Sequence, residues 1–120
     1  MVFFKYFSVS GQANKEKLDD GLQSTAAEKK RLISVLIQVD GYASNKIVGY
    51  HETTKVFEIP DSLIDTTANT GSTNQQYSFN RLNEIPVGVD MPVGTTFKVG
   101  IVCGATAKNI VGAYMYEVIE

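Results

Sequence analysis

The sequence predicts an all-β fold: an antiparallel sandwich of about eight strands, with at most one short helix, formed by residues 1–120 as one domain. Three observations carry this. Apolar and β-branched residues recur at every second position in several separate stretches. Asp-Gly, Pro and Gly interrupt those stretches at intervals typical of a sandwich or barrel. No segment is long enough and helical enough to form the crossover between parallel strands.

The elements follow in order. Residues 2–9 are aromatic and β-prone. Residues 14–23 are polar, with Leu18 and Leu22 spaced i, i+4, and read as either a short helix or an exposed loop. Lys29-Lys30-Arg31 reads as the solvated start of a strand. In that strand Ile33, Val35, Ile37 and Val39 share one face, while Leu32, Ser34, Leu36 and Gln38 share the other. The two leucines there predict partial cover on both sides. Asp40-Gly41 marks a turn. Strands are then expected over 46–50 and 53–59, with one helical turn over 60–65. Residues 65–76 are polar and read as a long loop of the kind that often carries binding surfaces. A shorter strand is expected over 77–82.

The last third is the most regular. Ile85, Val87, Val89 and Met91 alternate, as do Phe97, Val99, Ile101 and Cys103. A final strand has Ile110, Gly112, Tyr114, Tyr116 and Val118 on one face, opposite Val111, Ala113, Met115 and Ile119. Proline cannot donate to a ladder, so Pro86 and Pro92 predict a strand edge and a turn. Gly100 and Gly112, inside strand patterns, predict bulges or close backbone approach.

Composition narrows the function. The hydrophobic fraction of 43% supports a packed core. The formal net charge of −2 and the pI of about 5.4 argue against nucleic acid as a partner. No apolar stretch reaches the roughly 18 residues of a membrane span. Met1-Val2-Phe3-Phe4-Lys5-Tyr6-Phe7 lacks the features of a signal peptide, and the lone Cys103 cannot form an intrachain disulfide. Folding in a reducing cytoplasm is therefore expected.

No catalytic constellation stands out, so the chain is read as non-enzymatic, with no cofactor and no metal. His51 is the only histidine. A nucleophilic pair with Cys103, oriented by Glu52, is the chemical reading. The register of Cys103 with Phe97, Val99 and Ile101 favours a buried, inert thiol instead. Asp19-Asp20 and the pair Asp61 and Asp65 do not fit a calcium-loop pattern and read as caps and solvated groups. Tyr42, Tyr50, Tyr77, Tyr114 and Tyr116 are candidates for a sugar platform, although the chain has no tryptophan. Packing in a core or an interface suits tyrosine better.

One resemblance adds to this reading. Ile85-Pro86-Val87, Val93-Gly94-Thr95-Thr96-Phe97-Lys98-Val99-Gly100-Ile101 and Val111-Gly112-Ala113-Tyr114-Met115-Tyr116-Glu117-Val118-Ile119 resemble the closing strands of small single jelly-roll viral capsid and decoration proteins. The likeness covers about a third of the chain and is a pattern, not a signature. It implies a jelly-roll-like sandwich, a place in the virion, and partners that are further copies of the chain or other structural subunits. It implies a symmetric homo-oligomer, such as a trimer. Independently, the crowded aromatics of the N-terminal strand need a docking site. Phe3, Phe4, Tyr6, Phe7, Tyr114 and Tyr116 are the expected interface residues. The alternative is a module that binds carbohydrate or another ligand, through the loops near Tyr42 and residues 65–76.

Overall fold

The alternating segments assemble into two antiparallel sheets. The computed structural model describes residues 1–64 and 84–119. Within them nine strands run in the order β1 (Val2–Ser10), β2 (Glu16–Leu18), β3 (Leu22–Gln23), β4 (Lys29–Val39), β5 (Lys46–His51), β6 (Thr54–Pro60), β7 (Glu84–Asp90), β8 (Thr96–Val102) and β9 (Asn109–Ile119). A 3-10 turn, Asp61–Leu63, follows β6. The loop expected over 65–76 and the strand expected over 77–82 lie outside the described residues.

The first sheet has the order β1-β9-β4-β7, and the second the order β2-β8-β5-β6, with β3 also on β8. Taking β2 and β3 as two pieces of one edge strand, the pairs nest. β1 pairs with β9, β2 and β3 with β8, β4 with β7, and β5 with β6. A long hairpin rolled over on itself gives this nesting, which is the jelly-roll arrangement.

The core lies between the sheets. Phe97, Val99 and Ile101 of β8, and Cys103 just beyond it, face inward, as their alternation predicts. Phe7 and Val9 from β1, Ile47 from β5, and Ile110 and Tyr114 from β9 meet them. Each large apolar side chain buried this way contributes about 1.5–3 kcal/mol. Gly112 is required by close approach. A Cβ there would meet the carbonyl of Leu36 and come within 2.9 Å of the Phe7 ring. Gly100 likewise lies against the Lys17 carbonyl and Leu18.

The structure corrects three readings of the sequence. The first concerns β4, where the register shifts between Leu32 and Ser34 against both β7 and β9. One extra residue reverses the facing of everything before it. Leu32 therefore joins Val35, Ile37 and Val39 in the core, and Ile33 is only half-buried. The second concerns residues 14–23, which are neither helix nor loop throughout but carry the strand pieces β2 and β3. Pairing with β8 outweighs the leucine spacing: Leu22 enters the core while Leu18 stays exposed.

The third concerns Lys30, which is buried, not solvated. Its ammonium donates to the carbonyls of Gln23 (2.8 Å) and Glu28 (3.3 Å) and pairs with the Glu28 carboxylate at 3.5 Å. Its partners make that burial tolerable.

Candidate interaction surface

The residues weighed as a nucleophilic pair, His51 and Cys103, are kept apart. His51 stands opposite Phe97 on the β5–β8 ladder and meets the Thr95 hydroxyl at 3.2 Å. Cys103 is six residues further along the chain from Phe97, about 20 Å at strand rise, and is buried. Glu52 turns its carboxylate to the backbone N–H of Thr96 (2.7 Å), not to the imidazole. No nucleophilic pair forms.

The acidic candidates hold backbone. Asp61 is buried and accepts from the N–H groups of Ala43 (2.9 Å) and Asn45 (3.1 Å). Asp19 accepts from the Gly21 N–H (2.8 Å). Among the described residues no three His, Cys, Asp or Glu side chains gather as metal ligands. Tyr42 donates to the Ile64 carbonyl.

Two of the six expected interface residues are core residues. Phe7 and Tyr114 are sealed inside the sandwich, with ring centroids 5.0 Å apart. Both strands are apolar on both faces, so alternation alone does not select the buried one. The Tyr114 phenol ties the sheets together: it donates to Asp19 (3.0 Å) and accepts from the Val99 N–H (3.1 Å). Burial pushes this phenol far above the ordinary tyrosine range, and the Asp19 carboxylate adds to the shift.

The other four remain at the surface. Phe3 stacks on the half-buried Tyr116 with centroids 5.6 Å apart. Phe4 and Tyr6, whose parity in β1 is opposite to that of Phe7, project outward and are 59% and 71% exposed. They extend an apolar outer face on the first sheet. Val111, Ala113 and Met115 from β9 and Leu36 from β4 continue it, each half-buried. A shallow groove of about 390 Å³ runs over this face, with Tyr6 on one side, Leu36 on the other and Ala113 between them. Charge enters at one end, where Arg31 lies between Asp90 and Glu117 (3.2 Å to the latter), and at Glu84 of β7, which stands opposite Leu36.

A second concavity of about 580 Å³ opens where β1 and β9 approach β3 and β8. Lys5, Lys30, Lys98, Asp20, Glu28 and Tyr116 line it. The Lys30 ammonium sits 5.7 Å from the centroid of the Tyr116 ring. Donors, acceptors and an aromatic face thus converge with little net charge. Sequence reasoning missed this cleft because its residues come from strands distant in the chain, and Lys30 carries no sequence mark of burial.

Compared with known proteins, no family model matches the chain, and no curated protein or solved structure is significantly similar to it.

Proposed function

We propose that this is a structural, non-enzymatic assembly protein, a virion capsid or decoration component that builds a symmetric homo-oligomer. The observation that carries the reading is the apolar outer face of the first sheet, with Phe4 and Tyr6 standing exposed at its margin. Water-exposed aromatics grouped in this way mark a contact surface. Jelly rolls serve widely as shell-forming subunits, which is consistent with this use.

Light scattering of the full chain across a range of concentrations tests it. A defined oligomer is the expected result, and a monomer at every concentration overturns the reading. Removing the first ten residues is not a sound alternative. β1 pairs with β9 along its whole length and supplies Phe7 and Val9 to the core, so that truncation would damage the fold itself.

The 580 Å³ cleft favours a second reading, a module for a neutral polyhydroxylated ligand such as a carbohydrate. Tyr116 offers a ring face, and the lysines and carboxylates offer hydrogen bonds to hydroxyl groups. A saccharide that raises the melting temperature of the native chain but not of Tyr116→Ala would support this reading. A panel with no such saccharide would remove it.

A further inference from the structure

We propose that the chain self-associates through β1, which pairs antiparallel with β1 of a second copy across a two-fold axis and joins two four-stranded sheets into one of eight. This rests on the assembly reading and specifies its contact.

The argument begins with the four sheet edges. Exposed edges invite pairing, and proteins blunt them with proline, bulges, breaks and charge. β7 carries Pro86, Gly88 at φ +64°, and a register shift against β4. The β2–β3 edge is broken into pieces of three and two residues, with Gly21 at φ +98° between them. β6 has a register irregularity against β5 and carries Lys55, Glu58 and Pro60. Each of these edges is guarded.

β1 has no proline, no bulge and no break, and a single charge. Its register with β9 is unbroken from Val2 to Ser10, it contains no proline, and no partner lies on its outer side among the described residues. Its one charged residue, Lys5, is turned away from the edge and donates to the Gly21 carbonyl. Among the described residues, nine residues of paired geometry thus present an open edge to another strand.

A second copy suits this edge. The two-fold operation presents the same patch on both sides, and with the axis at Tyr6 the one charged residue, Lys5, lies opposite Phe7 of the second copy and meets no like charge. Antiparallel pairing near the middle of β1 brings Phe4 and Tyr6 of each copy onto one face. Cross-strand aromatic neighbours there add to the ladder bonds. Met1, Val2, Phe3, Phe4 and Tyr6 are all exposed, so apolar side chains flank this edge on both faces.

The test uses variants of the full chain that each add one surface cysteine to the buried Cys103, under mild oxidation. Phe4→Cys, Tyr6→Cys and Ser8→Cys lie along the outward side of β1. Ala113→Cys on β9 and Val56→Cys on β6 are the controls. Cross-strand Cβ atoms lie about 4.5–5.5 Å apart, so the β1 position nearest the axis should form a disulfide-linked dimer in high yield. The controls should remain unlinked. Hydrogen exchange on the unmodified chain gives a second readout, with β1 amides about 100-fold better protected in the dimer than after dilution to monomer.

Cross-linking through Ala113→Cys in place of β1 would show stacked sheets and overturn this contact. So would a closed trimer by mass, since a two-fold pairing cannot close one. Both results leave the assembly reading standing. A monomer at every concentration removes both.

Discussion

The outer faces of the two sheets solve the same exposure problem in different ways. On the second sheet, Lys46 and Lys55 pair with Glu58 at 3.7 and 3.6 Å. Tyr50 donates to Glu16 (2.9 Å) and lies under the Lys55 ammonium. That hydrogen bond, with burial second, raises the Tyr50 phenol above its ordinary value. Surface pairs of this kind contribute about 0–1 kcal/mol each, so their main effect is to keep the face wet and unpaired. The first sheet has one such cluster, at one end, and Glu84 beside Leu36; the rest of the face presents Phe4, Tyr6, Val111, Ala113, Met115 and Leu36. The fold explains neither choice. Both faces sit on the same kind of core, so the difference points to what each face meets outside the chain.

Moving charge onto the apolar face should break the comparison. The double variant Phe4→Lys with Tyr6→Lys should weaken self-association about 1,000-fold, the loss expected for two aromatic anchors. Both residues point outward, so the melting temperature of the monomer should hardly change. Val56→Lys on the second sheet should leave association as it was. Equal effects from the two sheets, read by light scattering, would erase the distinction.

Tyr114→Phe should act on the other side of the distinction, between what holds the sandwich and what joins copies. The change leaves the Val99 N–H without its acceptor inside the molecule and removes one of the two donors to the half-buried Asp19. Denaturant unfolding should show a loss of about 1–3 kcal/mol. The oligomeric mass should not change, because the side chain reaches no surface. A smaller effect of opposite sign is expected at Ser34, whose buried hydroxyl has no partner among the described residues. Ser34→Ala should gain up to about 1 kcal/mol by removing an unpaired polar group.

Much of this arrangement was legible in the sequence. The alternation of Phe97, Val99, Ile101 and Cys103 named an inward face, and Pro86 named an edge strand. What was hidden depended on partners outside each residue's own stretch of alternation. Leu32 is a core residue because a bulge reverses the facing of β4, and a period of two cannot announce its own interruption. Phe7 and Tyr114 are core residues because each strand's neighbours decide which of two apolar faces is covered. Lys30 is buried because the carbonyls of Gln23 on β3 and of Glu28 just before β4 receive its ammonium, a turn of the chain that the charge run alone does not show. The outward position of Phe4 and Tyr6 became readable only once Phe7 and Val9 were known to point in.

The charged end of the first sheet offers the finest test. Arg31 on β4 holds Asp90 on β7 and Glu117 on β9. The hydrogen bond from Arg31 lowers the Asp90 carboxyl below its ordinary value of 3.8. A carboxyl depressed in the folded state lends stability that is complete above the unfolded value and is lost as pH falls through the folded one. An NMR titration should therefore place Asp90 below 3.8, and Arg31→Met should return it upward. The same titration separates the two ways of joining copies. β4 lies two strands inside the β1 edge. Edge pairing leaves the Arg31 cluster in water, so Asp90 should titrate identically in monomer and dimer. Stacking of the apolar faces would cover that cluster, and desolvation would move Asp90 upward on association. A shift of that sign on dimerisation would replace edge pairing with face packing as the way this sheet meets its partner.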